Sequence, residues 1–317
     1  MKAIVLSAYG DVNQLELKKL PRLKPGQNEI KVRMAGAGIN PIDWKLRSGA
    51  LHAFMPLTFP AILGRDVSGE VYEVGPGVTQ FAVGDRVMGL VWGGYATFVV
   101  AASEAWAPVP GKMDLVDAAA LPLVLLTGAQ LIEEAIKPQE GDTLLVTGAL
   151  GSVGRVAVFA AKARGAKVWA GVRTTRKHEA EGLGADGVVA LDSDADIAAL
   201  PLFDSVADTV GGAAMSKLLT KIKPGGTIGS IVGEPAGAME LGLAVRLLLT
   251  HPDAARLATL AQLVADGTLV VPIIMRMPLA RAAEAQSLAE HHAGGKVLLT
   301  GRPEARAMLD VSRVVTV

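Results

Sequence analysis

One stretch of the sequence decides the fold: Thr147-Gly148-Ala149-Leu150-Gly151-Ser152-Val153-Gly154. It follows the apolar strand candidate 143–146 and opens a helical pattern over 153–164. A second apolar strand candidate, 167–172, comes soon after that helix. A glycine-rich turn between a buried strand and a helix is the setting of a dinucleotide-binding fingerprint. The stretch therefore predicts a strand–loop–helix motif that binds a dinucleotide.

Small residues occupy the three fingerprint positions of this loop, Ala149, Gly151 and Gly154, with alanine in the first glycine position. Gly151 lets the backbone approach a pyrophosphate, and Gly154 lets the helix pack closely on the strand. The N–H groups of Ser152 and Val153, at the start of the helix, have no partner within it and face the anion. We therefore predict that these five residues form the phosphate-binding part of the cofactor site.

Outward from this loop, two patterns divide the chain. From about residue 123 to residue 267, apolar strand candidates alternate with helical stretches, which predicts an α/β domain with a doubly wound parallel sheet. On both sides of it, short strand candidates are separated by Gly- and Pro-rich turns, which is typical of a compact β-rich domain. The predicted organisation is one β-rich domain made of 1–122 and 268–317, with the domain 123–267 inserted into it.

The residues after the second strand candidate indicate which nicotinamide cofactor binds: Arg173-Thr174-Thr175-Arg176-Lys177. NAD-binding proteins usually carry Asp or Glu about 20 residues after the loop, where it accepts hydrogen bonds from the ribose hydroxyls. Here no carboxylate comes before Glu179. Cationic and hydroxyl side chains suit the 2′-phosphate of NADPH better than a bare hydroxyl. We predict NADPH, bound by Arg173, Thr174, Arg176 and Lys177.

Composition narrows the class of partner. The 31 basic residues balance 31 acidic ones, so no net charge draws the protein to nucleic acid or to an anionic membrane. The chain has no cysteine, which excludes disulfides, thiolate zinc sites and cysteine nucleophiles. Its first residues do not have the layout of a signal peptide. We expect a cytoplasmic protein that acts on a small molecule and has neither a nucleic-acid nor a membrane partner.

An ordered set of short motifs runs along the chain. Besides the phosphate loop they are Gly38-Ile39-Asn40-Pro41-Ile42-Asp43, Gly64-Arg65-Asp66-Val67-Ser68-Gly69-Glu70-Val71, Gly75-Pro76-Gly77-Val78, Val83-Gly84-Asp85-Arg86-Val87, Gly93-Gly94-Tyr95-Ala96, Leu126-Thr127-Gly128-Ala129, Leu183-Gly184-Ala185-Asp186, Asp208-Thr209-Val210-Gly211-Gly212 and Gly295-Lys296-Val297-Leu298-Leu299. With this set the chain resembles the zinc-independent medium-chain dehydrogenase/reductases, in the branch of zeta-crystallin-like quinone oxidoreductases and alkenal/enone reductases. The resemblance implies a GroES-like catalytic domain joined to a Rossmann domain, and a homodimer or homotetramer.

The chain departs from the alcohol dehydrogenases of this superfamily at the positions of their zinc ligands. The resemblance aligns their Cys ligand with Asn40 and their His ligand with Arg65, and it puts the third ligand within 122–125, where all side chains are apolar. A catalytic zinc needs three protein ligands. The resemblance therefore implies no metal site. Arg65 and Asp66 are expected to pair with each other or with the neighbouring loop.

The same resemblance implies roles for individual residues. Asn40 lies beside the nicotinamide ribose and the substrate, and Asp43 orients its loop by accepting backbone hydrogen bonds. Lys45 is the candidate cation that polarises a carbonyl group or relays a proton, with a solvated loop lysine as the alternative. Further positions match residues that line the cofactor in relatives: Thr127, Gly211, Val232 and Lys296.

These residues predict a zinc-free, NADPH-dependent reductase that transfers a hydride to a quinone or to an α,β-unsaturated carbonyl compound. The expected substrate is therefore small, hydrophobic and electrophilic. Two alternatives stay open: a reductase of another conjugated acyl substrate, such as a haloacrylate or an enoyl thioester, and a non-catalytic NADPH-binding protein. The substrate pocket is expected in the apolar variable loops 51–60 and 233–246. The last stretch, 302–317, matches no motif, and its end fits a terminal strand over 311–317.

Overall fold

The fold is that of a computed structural model, which describes residues 1–291 and 294–301. The strand expected over 311–317 lies outside the described residues. The strands are β1 (Lys2–Leu6), β2 (Leu15–Lys19), β3 (Glu29–Gly38), β4 (Asp66–Val74), β5 (Arg86–Leu90), β6 (Phe98–Ala102), β7 (Trp106–Pro108), β8 (Thr143–Thr147), β9 (Lys167–Val172), β10 (Gly187–Ala190), β11 (Phe203–Asp208), β12 (Ile222–Ser230), β13 (Ala244–Leu247), β14 (Ile273–Pro278) and β15 (Lys296–Thr300). The helices are α1 (Pro41–Ser48), α2 (Pro122–Gln130), α3 (Ser152–Ala163), α4 (Lys177–Ala180), α5 (Asp194–Ala198), α6 (Gly212–Leu218), α7 (Ala254–Ala265) and α8 (Ala282–His291).

The chain divides into two compact units. Unit 1 contains Met1–Leu123 and the described residues from Pro252 onward, and unit 2 is Val124–His251. The segment 252–267, which the sequence patterns assigned to the inserted domain, belongs instead to unit 1, where α7 packs against β7. The chain therefore leaves unit 2 one helix earlier than the alternation of strands and helices suggested.

Unit 2 is built on a six-stranded sheet in the order β10-β9-β8-β11-β12-β13, and every pairing in it is parallel. Side chains alternate across the sheet: Leu144 and Val146 of β8 lie in one hydrophobic core and Leu145 in the other, and all three are fully buried. This confirms the predicted doubly wound sheet. The strand order reverses between β8 and β11, and ligands of such sheets bind at the carboxyl ends of the strands at this switch point.

Unit 1 contains a hairpin of β1 and β2 and a sheet in the order β14-β15-β3-β4-β5-β7, with β6 also paired to β3. In this sheet β3 pairs antiparallel with β15 on one side, where Gly38 lies opposite Leu298, and with β4 on the other, where Gly38 lies opposite Asp66. The end of β3 therefore lies between the middle of β15 and the start of β4. This junction brings together residues that are far apart in the sequence.

Two segments differ from the expected loops. The stretch 233–246 was expected to be a variable loop, but Ala244–Leu247 forms β13, which pairs with β12 and is the edge of the parallel sheet. The motif that contains Asn40 leads directly into α1, with Pro41 at the first helical position. Proline is favoured there because its missing N–H would have no partner in the first turn.

The stretch Asp117–Ile136 has the length and mean hydropathy of a membrane-spanning helix, 20 residues and 1.5, and 83% of its most apolar window is buried inside the protein. The core helix of a folded domain has the same properties. Its apolar side chains are therefore accounted for by packing in the protein's own interior.

Candidate functional site

The phosphate loop of unit 2 connects β8 to α3 by a tight turn. Gly148 adopts a left-handed backbone conformation, with φ of 63°. A Cβ on Gly154 would lie 2.2 Å from the carbonyl oxygen of Gly148, so only glycine lets the helix approach the loop this closely. The first hydrogen bond within the helix runs from Arg155 N to Gly151 O, at 2.9 Å. The N–H groups of the first turn, which include those of Ser152 and Val153, precede this bond.

The loop after β11 lies beside the phosphate loop at the switch point. One carboxylate oxygen of Asp208 accepts hydrogen bonds from the Thr147 hydroxyl at 2.8 Å and from Gly211 N at 2.9 Å. Gly211 has φ of 70°, and a Cβ added to it would lie 3.0 Å from a methyl group of Val232. The structure thus brings together Gly211 and Val232, two of the predicted cofactor-lining residues. Asp208 holds Gly211 in place, a role that its motif alone did not reveal.

Thr127 lies on α2, and its hydroxyl oxygen is 2.7 Å from that of Thr250. The following residue, Gly128, packs on α3, where an added Cβ would lie 2.5 Å from the Cβ of Val156. Helix α2 therefore packs directly against the helix of the phosphate loop. Thr127 is buried on this helix and its hydroxyl is engaged by the protein itself.

The basic segment after β9 is held by carboxylates from its surroundings. Both the amide and the hydroxyl of Thr174 donate to Asp192 at 2.8 Å, and Lys177 forms an ion pair with Asp196 at 2.7 Å. Arg176 makes two hydrogen bonds to Glu179, at 2.8 and 2.6 Å, and these lower the pKa of Glu179. For Arg173 the structure records no side-chain hydrogen bond within the described residues. The four predicted phosphate ligands thus share one surface, and three of them have acidic partners there.

Arg155 adds a cation to this surface that the sequence analysis missed. Its Nε donates to the carbonyl oxygen of Leu150 in the phosphate loop at 3.1 Å. Burial lowers the pKa of Arg155, and the nearby charge of Arg176 lowers it further. Arg155 therefore links the phosphate loop to the basic segment. The loop at Gly154 has no room for a Cβ, and the N–H groups at the start of α3 can bind a phosphate. Together with the arginines of this surface, these features fit a dinucleotide that carries an additional phosphate.

The predicted catalytic residue Asn40 lies in unit 1, in a buried polar network at the junction of β3, β4 and β15. Lys296 donates to Asn40 Oδ1 at 2.5 Å, to Ile39 O at 3.0 Å and to Asp66 Oδ2 at 3.1 Å. Asn40 Nδ2 donates to the same Asp66 oxygen at 2.8 Å, and Asp66 Oδ1 accepts from Leu123 N at 2.7 Å. All three hydrogens of the Lys296 ammonium therefore have acceptors in the protein. Lys296 was predicted to line the cofactor, and the structure places it as the partner that holds Asn40.

Asp43 continues this network from α1. Its Oδ2 accepts hydrogen bonds from Asn40 N and from the hydroxyl of Tyr95, both at 2.8 Å, while its Oδ1 is buried without a partner. Complete burial raises the pKa of Asp43 to about 6, and the charge of Asp66 adds to this effect. Asp43 thus fixes the backbone at the start of α1, next to the Asn40 side chain.

Lys45 and Arg65 do not join this network. Lys45 is half-buried on α1, and the structure records no hydrogen bond or ion pair of its ammonium within the described residues. Arg65 was expected to pair with Asp66 or with the neighbouring loop. Instead, Asp66 pairs with Lys296, and the guanidinium of Arg65 stacks on the ring of Trp92 at 3.7 Å from its centroid.

The histidines and carboxylates that the structure describes form no group of three or more that could hold a metal ion. His251 contacts Glu134, with 3.0 Å between Nε2 and a carboxylate oxygen, as a pair at the surface of unit 2. At the position aligned with a zinc-ligand Cys, Asn40 presents an amide that an ammonium and a carboxylate already engage.

Family models match both parts of the chain. Residues 26–111 match the alcohol dehydrogenase GroES-like domain, and residues 183–299 match the family described as zinc-binding dehydrogenase. Over its length the chain is similar to a chloroplast envelope quinone oxidoreductase homolog of Arabidopsis thaliana, at 31% identity over 324 residues. That alignment covers 94% of this chain and 98% of the relative.

Solved structures share the whole fold. The quinone oxidoreductase from Coxiella burnetii superposes with a TM-score of 0.84 at 29% identity, covering 95% of this chain and 99% of that one. A mycobacterial protein solved in complex with NADPH gives a TM-score of 0.81 at 28% identity, covering 95% and 100%. These likenesses confirm the predicted combination of a GroES-like and a Rossmann domain.

Proposed function

Because the chain belongs to the quinone oxidoreductase branch of the medium-chain dehydrogenase/reductases, we propose that it is a zinc-free reductase that uses NADPH to reduce a quinone or an α,β-unsaturated carbonyl compound. Membership of this family makes the chain an oxidoreductase with a nicotinamide cofactor. The choice of NADPH, the absence of zinc and the class of substrate are the proposal.

The observation that carries the proposal is the set of side chains around Asn40. Asn40 stands at the position that a zinc-ligand cysteine occupies in zinc enzymes of the superfamily. Its amide is hydrogen-bonded to the buried ammonium of Lys296 and to the buried carboxylate of Asp66. The Lys296 ammonium has no lone pair to offer a zinc ion, repels it by its charge, and already occupies the amide oxygen of Asn40. The polar groups at this position therefore suit hydrogen bonding to a ligand and not coordination of a metal.

NADPH is favoured by the surface that follows β9. The N–H groups of Ser152 and Val153 would bind the pyrophosphate, and Arg155, Arg173 and Arg176 would bind the 2′-phosphate. The ion pair of Arg176 with Glu179 is partly exposed, with about a third of each side chain accessible, and such pairs contribute little to stability. A phosphate can therefore exchange with the carboxylate. The relative solved with NADPH supports the same choice.

Bound NADPH supplies a hydride. A quinone or an enone accepts this hydride at a carbon already activated by conjugation, which makes it an easier substrate than an alcohol for a site without a Lewis acid. The protein then has to orient the substrate and stabilise charge on its oxygen. Asn40 contributes to this orientation because its amide is fixed from both ends by Lys296 and Asp66.

The proposed assembly is a homodimer or a homotetramer, formed by pairing of two copies along β13. This strand is the edge of the parallel sheet in unit 2. Leu247 at its end is 61% exposed, and Leu249 just beyond it is 71% exposed. An open strand edge with exposed apolar side chains is a template for pairing with another strand.

The proposal is tested by mixing the purified protein with NADPH and one of four acceptors: benzoquinone, phenanthrenequinone, cyclohexenone or an alkenal. Consumption of NADPH is followed by absorbance, with NADH as the parallel donor and EDTA as the chelator control. We expect turnover that is faster with NADPH than with NADH and unchanged by EDTA. Inactivation by EDTA would contradict the zinc-free assignment. No turnover across the panel, with tight NADPH binding retained, would favour a specialised conjugated acyl substrate or a non-catalytic role.

A further inference from the structure

Arg65 is a buried cation that has no hydrogen-bond partner among the described residues. It directly precedes β4, and its main chain is fixed because Val91 N donates to Arg65 O at 2.8 Å. Its side chain is 7% exposed, and its Nε is buried and unpaired. A guanidinium carries five N–H donors, and burial of a charge without a partner is costly. Arg65 therefore holds N–H donors that no other described residue uses.

The carboxylates near Arg65 form no hydrogen bond with it, and of their four oxygens only Oδ1 of Asp43 has no partner. Both oxygens of Asp66 accept hydrogen bonds from other groups, and so does Oδ2 of Asp43. Burial lowers the pKa of Arg65, and the charges of Asp66 and Asp43 act in the opposite direction through space. They moderate the cost of burying the guanidinium, but they leave its donors free for a ligand.

Trp92 fixes the plane of this guanidinium. The ring centroid lies 3.7 Å from the guanidinium carbon, which is the geometry of a cation–π stack. The indole is 50% exposed, so it also offers a flat apolar surface beside the cation. The guanidinium of Arg65, just before β4, and the indole of Trp92, just after β5, thus place a planar donor group next to a flat apolar surface. Arg65 is also adjacent in sequence to Asp66 of the Asn40 network.

We propose that Arg65 and Trp92 form the subsite for the substrate's carbonyl oxygen, and that Arg65, not Lys45, stabilises the negative charge that develops on this oxygen. This inference rests on the proposed function. The recognised chemistry is a carbonyl oxygen conjugated to a carbon–carbon double bond, as in quinones and enones. A planar arginine fork donates two N–H groups toward one oxygen or one flat acceptor, whereas the ammonium of Lys45 lies on a flexible chain of a half-buried side chain.

The role follows from the electron balance of the reduction. A hydride from the reduced nicotinamide forms a new C–H bond at the β-carbon of the substrate. The π electrons of the carbon–carbon double bond then form the bond to the carbonyl carbon, and the carbonyl π pair moves to oxygen as an oxyanion. In an enone, a proton from water then bonds to the α-carbon and completes a two-electron reduction. In a quinone, the proton bonds to the oxyanion, and the ring carbon that received the hydride loses a proton while the second carbonyl oxygen gains one, which gives the hydroquinone. Arg65 keeps its protons throughout and acts by hydrogen bonding and charge.

The first test replaces Arg65 by Gln, which removes the charge and leaves a shorter, neutral side chain that can still donate a hydrogen bond. We expect the Arg65→Gln variant to lose about a hundredfold in kcat with the accepted quinone or enone, while its affinity for NADPH stays that of the parent. The control is Arg33→Gln in the same unit, since the Arg33 side chain is 57% exposed and forms a surface pair with Glu70. The competing variant is Lys45→Met. A loss of kcat in Lys45→Met with none in Arg65→Gln would overturn the proposal.

A second measurement does not depend on turnover. Nitrophenol mimics the oxyanion when ionised, and its absorbance reports the fraction of phenolate. We expect the parent and Arg33→Gln proteins to bind the phenolate and to lower the pH at which bound nitrophenol ionises, and Arg65→Gln to bind it at least about tenfold more weakly. Equal binding by Arg65→Gln and the parent would overturn the proposal. This readout stands even if the parent reduces none of the acceptors, so it separates failure of the subsite from failure of the proposed function.

Thermal unfolding distinguishes a functional from a structural arginine. If Arg65 serves the substrate and makes no hydrogen bond that holds the fold, Arg65→Gln should leave the melting temperature close to that of the parent. A clear decrease in melting temperature, accompanied by unchanged nitrophenolate binding in the fraction that stays folded, would assign Arg65 to the fold instead.

Discussion

The ammonium of Lys296 lies 2.5 Å from the amide oxygen of Asn40, and this hydrogen bond fixes which way the amide points. An ammonium can only donate and an ionised carboxylate can only accept. The oxygen of Asn40 must therefore face Lys296, and its nitrogen must face Asp66. One amide hydrogen of Asn40 is not used by Asp66. In the proposed function this hydrogen faces the ligand, and Lys296 and Asp66 act through Asn40 as positioning residues.

Loss of either charge should be strongly destabilising. We expect Lys296→Met and Asp66→Asn each to lower the free energy of unfolding by about 3–5 kcal/mol, because each leaves the other charge buried without its partner. The double variant should lose less than the sum of the two. The exposed pair Lys162–Asp186 is the matched control, and Lys162→Met should cost less than about 1 kcal/mol. Urea unfolding measures all four values, and strictly additive losses would argue against the coupling.

Asp43 should make stability depend on pH. Its pKa is raised from 3.8 to about 6 in the folded protein, so between these values the unfolded chain is ionised at Asp43 while the folded protein keeps the proton. Stability from this group is therefore highest below about pH 4, falls as the pH rises, and is constant above about pH 7. The loss is about 3 kcal/mol, at about 1.4 kcal/mol per pH unit. Asp43→Asn should remove it.

The measurement is the difference in free energy of unfolding between the parent and Asp43→Asn from pH 4 to pH 8. Other titrating groups are common to both proteins and cancel in this difference. A difference that stays constant over the whole range would mean that Asp43 ionises at its ordinary pKa in the folded protein.

Arg176 should determine the preference for NADPH. Arg176→Ala removes a charged hydrogen-bond donor to the 2′-phosphate, so we expect the KM for NADPH to rise about 10- to 100-fold and the KM for NADH to change little. Glu179→Gln is the matched control because it removes the acidic partner of Arg176 and leaves the cation. It should keep or lower the KM for NADPH. Equal effects of Arg176→Ala on the two cofactors would contradict the phosphate role.

Gly154 should be required for the cofactor cradle. In Gly154→Ala the new Cβ would lie 2.2 Å from a backbone oxygen that cannot move without the loop, so we expect NADPH binding to weaken at least about tenfold and stability to fall by about 1–3 kcal/mol. Gly182→Ala is the control in the same unit, since nothing lies within 4 Å of the added atom. Isothermal titration with NADPH gives both affinities. A Gly154→Ala protein that binds like the parent would show that the loop adapts.

The β13 edge should determine the assembly. A charged side chain at an exposed apolar edge opposes strand pairing. We expect the parent to elute as a dimer or tetramer in light-scattering chromatography and the Leu247→Lys variant as a monomer. The side chain of Leu247 is 61% exposed, so this substitution should not disturb the fold. A parent that is already monomeric would contradict the proposed assembly.

The inserted domain could be predicted well because its signals are local. The buried run Leu144-Leu145-Val146 and the glycines of the phosphate loop lie within a few residues of each other. Hydrophobic periodicity and turn-forming residues can be recognised over such short stretches of sequence. The edge strand β13 was missed because none of its four residues is buried, so it has no alternation of buried and exposed side chains.

For the candidate catalytic site, single residues could be predicted from the sequence, but their contacts with each other could not. Asn40 and Asp43 stand in a recognisable motif, but Lys296 lies 256 residues from Asn40 and no periodicity links them. The stack of Arg65 on Trp92 likewise joins two loops that only the pairing of β4 with β5 brings together. Contacts of this kind follow from tertiary structure, and the sequence pattern of either partner does not contain them.

The pairing of β3 with β15 also sets an order of events during synthesis on the ribosome. Unit 2 is one continuous segment, so all of its strands have emerged before the last part of unit 1 is translated. The Asn40 network, in contrast, lacks its lysine until β15 leaves the exit tunnel. A nascent chain stalled just before residue 296 would therefore hold a complete unit 2 and an unfinished unit 1, and the proposed catalytic groups would come together only after β15 has been translated.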